Sequence, residues 1–196
     1  MTETIDFAPQ ARLLAAVAEG VSDEQLAAPT PCPEYRVRHL LGHLVGLTCA
    51  FRDAARKDLG PHLDQDPGSA VPNLDPEWRA ALPKLLDELT EAWRDPAAYE
   101  GMTRAGGVDL PGAVAGAVAM DELVVHGWDL ARATGQAYAP DEASLRVAQG
   151  LLTPQEGDDS GNSLFGAVVP VPDDAPLLDR VIGLSGRNPG WAPPGA

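Results

Sequence analysis

Apolar residues recur at three- and four-residue spacing through most of this 196-residue chain, while strand-like alternation is scarce. That period puts one apolar stripe on each helix, and a stripe must be buried against another element, so the chain reads as all-α. Four long segments carry the pattern. The first covers about residues 6–19, with Leu13, Leu14 and Val17 on one side and Gly20 as its stop. The second spans about 36–57, where Val37, Leu40, Leu41, Leu44, Leu47 and Phe51 form a wide stripe with His39 and His43 beside it. The third starts at Asp75-Pro76, runs to Asp95-Pro96 and should kink at Pro83. The fourth runs from Pro111 to Gly135.

Connections are marked by proline, glycine and aspartate. SDEQLAAPTPCPEY allows at most a short helix before an extended run, residues 58–74 read as a surface loop, and GMTRAGGVDLPG reads as a Gly-rich connection. Two further helices are expected at about 141–152 and 175–185, and the tail RNPGWAPPGA is irregular, with Trp191 anchoring it to the body. The expected organisation is one domain: a bundle over 1–138 and a C-terminal extension over 139–196 packed on it.

Composition narrows the partners. With 14 basic against 29 acidic residues the net charge is −15, a field that repels phosphate backbones and anionic bilayers, so neither nucleic acid nor membrane is expected. No run approaches the roughly 20 apolar residues of a membrane span. The start MTETIDFAPQ lacks the order of a secretory signal, and two cysteines make no disulfide framework; a cytoplasmic location is expected.

The fourth helix carries the chemistry. Glu122 and His126 are four residues apart and project from one face, which Asp129 continues. They are embedded in a run of Val, Leu, Met and Trp, where an unpartnered carboxylate costs several kcal/mol, so Glu122 needs a proton, hydrogen bonds or a cation. Helix 2 supplies the only other helical histidines, His39 and His43, and we take His43 as a third ligand; His62 lies in a loop. Two imidazoles and one carboxylate leave a coordination position open for substrate, and the set accepts zinc, nickel or iron, with zinc the first choice. The plainer reading is that Glu122 and His126 only pair with each other.

Asp129 either orients a ligand histidine or pairs with Arg132. Arg104 and Arg132 are candidate clamps for an anionic ligand, and with Asp129 they form the expected cofactor-binding set. Cys32, between Pro31 and Pro33, has no evident basic neighbour to activate it, and Cys49 reads as a small buried hydrophobe. Trp128 reads as core or pocket wall.

Two segments, TPCPEYRVRHLLGHLVG (30–46) and DELVVHGWDLARATG (121–135), resemble the signatures of the mycothiol-dependent maleylpyruvate isomerase N-terminal family, within the DinB/YfiT-like metal-binding bundles. FGAVVPVPDDAPLLDRVIGLSGRNPGW resembles the C-terminal region of a metal-binding subgroup. The resemblance implies a DinB-like four-helix bundle with a divalent ion held by His43, Glu122 and His126, and mycothiol as cosubstrate. Tyr35 stands where the family commonly has Trp, and only residues 136–196 follow Gly135, whereas the characterised isomerase type carries a longer C-terminal domain. The expectation is a thiol-dependent transferase or isomerase acting on a small electrophile, as a homodimer if Ala/Val stripes stay exposed; the alternative is a metal- or ligand-binding stress-response sensor without turnover.

Overall fold

The computed structural model describes residues 4–58, 60, 63, 73–153 and 167–194. Its long helices are α1 (Ala8–Glu19), α2 (Val37–Arg56), α3 (Trp78–Ala92) and α4 (Gly112–Thr134), followed by α5 (Glu142–Leu152) and α6 (Leu177–Leu184). α1 and α2 each pack against both α3 and α4, which closes a four-helix bundle. The extension is layered on its outside, α5 against α4 and α6 against α5. Among the described residues no helix is long and apolar enough to cross a membrane.

α4 is buried on nearly every side, because α1, α2 and α5 all cover it. Its small residues permit this: Ala115 and Ala119 are fully buried, and Gly116 faces Trp93 and Tyr99 so closely that an added Cβ would lie 3.0 Å from each ring. The core continues through Leu40, Leu41 and Leu44 of α2 and Leu82, Leu86 and Leu89 of α3, all essentially inaccessible, and through Phe7 stacked on Trp93 at 5.7 Å. Tyr138, just after α4, ties α1 to α4: its hydroxyl donates to Val124 O at 2.8 Å and accepts from Gln10 Nε2 at 2.6 Å.

Several boundaries differ from the sequence expectation, each for a local reason. Asp75 caps a turn rather than the helix itself, accepting from Glu77 N at 2.8 Å, and α3 begins at Trp78 and runs through Pro83 without a break in the assigned helix. Asp95-Pro96 does not end α3; Asp95 accepts from Ala97 N and starts a separate 3₁₀ turn, Pro96–Tyr99. The expected Gly-rich connection is in fact an antiparallel hairpin, β1 (Met102–Ala105) and β2 (Val108–Pro111), turned by Gly106 and Gly107 with φ of 58° and 77°. Thr103 pins it to the bundle by donating to Ala54 O at 2.6 Å. Four-residue strands are too short for alternation to register, although Gly-Gly between them is a hairpin signal. His62 and most of the expected 58–74 loop lie outside the described residues. The described large apolar side chains left exposed are Met102, Val108, Val114 and Val168.

Candidate metal centre

α2 and α4 lie side by side in the bundle, and their facing surfaces bring together two stretches of chain nearly 80 residues apart. His43 projects from the edge of the α2 stripe, next to wholly buried Leu44, and meets α4 at Glu122 and His126. Glu122 Oε2 is 3.5 Å from His43 Nε2 and 3.1 Å from His126 Nε2, and one ligand atom from each of the three residues lies within 4.8 Å of the others. The imidazoles approach edge to face, centroids 4.8 Å apart. The His43, Glu122 and His126 side chains are 13%, 24% and 10% exposed, so the cluster is largely but not wholly shielded from solvent.

The polarity of the cluster fits a cation. Glu122 Oε2 is buried and no hydrogen bond of normal geometry reaches it, despite the two nearby imidazole nitrogens. His126 Nδ1 is 3.0 Å from Asp129 Oδ2, and a carboxylate there can only accept, so Nδ1 is the donor of that contact and Nε2 is the nitrogen turned toward Glu122. The gap between Glu122 Oε2 and His126 Nε2 can be bridged by a proton on Nε2 or by a metal ion in its place. The same logic appears in the acid–base balance. Burial alone would push Glu122 up and His126 down, but their mutual contacts, with His43 acting on Glu122 and Asp129 on His126, outweigh it: the carboxyl is held below its ordinary range and the imidazole above.

Asp129, wholly buried, faces His126 and not Arg132, and its Oδ2 is also 3.2 Å from Nη2 of Arg187. Arg132 instead donates from Nε to the carbonyl of Trp191 at 3.1 Å and from Nη2 to the same oxygen, with its guanidinium 5.8 Å above Trp128. The tail anchor expected of Trp191 is thus made by its backbone. Arg104 forms a two-pronged bridge to its cross-strand partner Asp109 on the hairpin, 2.8 and 3.1 Å. The hairpin is tied to Ala54, eleven residues beyond His43 and roughly 16 Å along the α2 axis, so Arg104 is not brought to the triad. His39 serves its own helix: its Nδ1 accepts from Arg36 N at 3.3 Å.

The loop between the paired residues Pro29 and Arg36 covers the rim of the site. Thr30 Oγ1 spans it, 2.8 Å from Cys32 O and 2.7 Å from Tyr35 O, and the Tyr35 ring lies 5.5 Å from that of His43. Burial pushes the Cys32 thiol up, and the Asp129 charge adds to this against Arg187, so the thiol is not activated by its surroundings. Two groups escaped the sequence reading. Arg187 comes from beyond α6 with no spacing to link it to α4. Asp121, beside Glu122 in sequence, is buried with Oδ1 unpartnered; burial first, then the Glu122 charge, raises its pKa well above the usual carboxyl value.

These features can be set beside known proteins. The model for the mycothiol maleylpyruvate isomerase N-terminal domain matches residues 7–131. The chain belongs to this family. Uncharacterized proteins of Mycobacterium tuberculosis strains CDC 1551 and H37Rv are 27% identical to it over 178 residues, covering 89% of this chain and 91% of theirs. Crystal structures of the mycothiol-dependent maleylpyruvate isomerase, unmodified and as a histidine-to-alanine mutant, share the fold with TM-score 0.60 at 18% identity, covering 93% of this chain and 87% of that one. The match to 93% of this chain means the shared fold takes in most of the C-terminal extension as well as the bundle.

Proposed function

We propose that this protein binds a divalent metal ion, zinc in the first instance, through His43, Glu122 and His126, and uses it to activate mycothiol or a similar small thiol against a small electrophile. The observation that carries the reading is the buried, hydrogen-bond-orphaned Oε2 of Glu122 between two imidazole nitrogens, in a chain of the mycothiol maleylpyruvate isomerase family. A metal held by three protein groups supplies Lewis acidity that lowers the pKa of a bound thiol toward neutrality.

The chain's own residues do the rest. Asp129 keeps the proton of His126 on Nδ1, so that Nε2 is available as a ligand. Tyr35 and the Pro29–Arg36 loop wall the rim beside His43 and limit water there. The surroundings of Cys32 keep it protonated, which leaves the nucleophile's role to the added thiol. The test is electrophile consumption by zinc-loaded, tag-free protein with mycothiol, against a His126→Ala control. A rate lost in the control supports the reading; equal rates in both, across several electrophiles and metals, refute it.

A further inference from the structure

The C-terminal segment reaches α4 through an unusual route. After α6, Gly186 adopts the left-handed conformation (φ 82°) and reverses the chain, while Arg187 N donates to Ile182 O at 3.1 Å. Val181 and Ile182 are wholly buried and fix this turn in the protein. The Arg187 side chain is aimed by a bond from Nη1 to Ser185 O at 3.0 Å, and its Nη2 reaches Asp129 Oδ2 at 3.2 Å. That oxygen is the one which lies 3.0 Å from His126 Nδ1. One turn further along α4, Arg132 holds the carbonyl of Trp191. The segment therefore clasps α4 at two points, one of them a direct chain of contacts to a ligand of the proposed cation.

We propose that Arg187 is a positioning residue acting through Asp129 on His126, and that occupancy of the cation site and packing of residues 177–191 on α4 are thermodynamically linked. The inference rests on the reading that the triad binds a divalent cation. Asp129 is wholly buried, and a lone imidazole N–H is a weak counterpart for a buried carboxylate. The Arg187 guanidinium reaches the same Asp129 oxygen that faces His126 Nδ1, so it holds the carboxylate in the orientation that aligns the imidazole. Without it the Asp129 side chain is free to rotate away, and His126 would lose the contact that orients its ring. Removing outer partners of this kind weakens metal binding by about 10–100-fold. Linkage is reciprocal, so whatever Arg187 contributes to cation affinity, the cation returns to the packing of the segment that carries Arg187.

The experiment measures zinc affinity by chelator competition on the tag-free full chain, for wild type, Arg187→Met, Arg187→Lys and Asp129→Asn. Arg187→Met and Asp129→Asn should bind zinc about 10–100-fold more weakly, and Arg187→Lys should recover part of the loss. The absorption bands of bound cobalt should shift in Arg187→Met, a change that loss of remote packing would not produce. In wild type, zinc should slow amide hydrogen exchange of residues 177–191 more than that of α3, which carries no ligand; in Arg187→Met this extra protection should vanish. Folded Arg187→Met binding zinc within about threefold of wild type overturns the inference while leaving the cation site standing. Wild type that binds no zinc overturns the site itself, and the linkage with it. If Arg187→Met does not fold, the wild-type exchange comparison decides, and no extra protection of 177–191 counts against the linkage.

Discussion

Gly127 sits on α4 directly after His126, where the Tyr138 ring crosses the helix, and the close approach depends on the missing side chain. A Cβ placed there would lie 3.0 Å from Cζ and 3.1 Å from Cε2 of Tyr138, and nearer still to its hydroxyl oxygen. The ring cannot simply swing aside, since that hydroxyl is tied to Val124 O and Gln10 Nε2. Gly127→Ala should therefore incur an overpacking cost of about 1–3 kcal/mol. Displacing the hydroxyl weakens one or two buried hydrogen bonds at about 0.5–1.5 kcal/mol each. Against this stands a helix-propensity gain of about 1 kcal/mol for Ala over Gly. Taking the middle of each range, the net is a loss of about 2.5 kcal/mol, or roughly 5–10 °C in Tm for a chain of this size. Urea denaturation followed by far-ultraviolet circular dichroism measures it. Tyr138→Phe removes the closest contact, so the double mutant should be at least about 1 kcal/mol more stable than the sum of the single effects. Gly127→Ala as stable as wild type, or strictly additive losses in the double mutant, would refute the proposed steric coupling.

Other outcomes follow from the same geometry. Zinc at a hundredfold excess over its Kd should stabilise the wild-type protein by about 2.7 kcal/mol, a rise of roughly 5–11 °C in Tm, and differential scanning fluorimetry should show no such rise for Glu122→Gln. Asp141 accepts from Ser144 N at 3.0 Å and Ser144 Oγ at 2.6 Å at the start of α5, so Asp141→Ala should cost about 1 kcal/mol, read as a Tm lower by about 2–4 °C. Burial opposes ionisation of Asp141, but the Ser144 bonds outweigh it and lower the folded-state pKa below 3.8. The advantage of wild type over Asp141→Ala is therefore fully present above about pH 4 and should shrink as pH falls through the folded-state value; a difference that grows in acid would contradict the assignment.

Much of the fold was legible because helices announce themselves locally. The stripe of Leu40, Leu41 and Leu44 and the stop at Gly135 are properties of short windows, and both stand where periodicity and stop signals placed the helices. Where neighbouring residues compete for the same backbone groups, short-range reasoning misplaced the boundary. Asp75 and Asp95 each cap a turn adjacent to α3 instead of marking its ends, and Gly106-Gly107 closes a hairpin too short to show a strand pattern.

The site divides along the same line. Glu122 and His126 were readable because one helical turn places them together whatever the rest of the chain does, and a buried carboxylate between apolar neighbours demands a partner. The choice between His126 and Arg132 as the partner of Asp129 could not be made from spacing, since both lie within one turn of it on the same helix. Only the packed structure decides it, by bringing Trp191 O to Arg132 and Arg187 to Asp129. Local sequence specified the helices and the residues able to bear charge inside them. Which of those charges meet, and that His43 and Arg187 are the ones delivered from elsewhere, depends on burying the α2, α4 and C-terminal surfaces together, an interaction between segments that no single window contains.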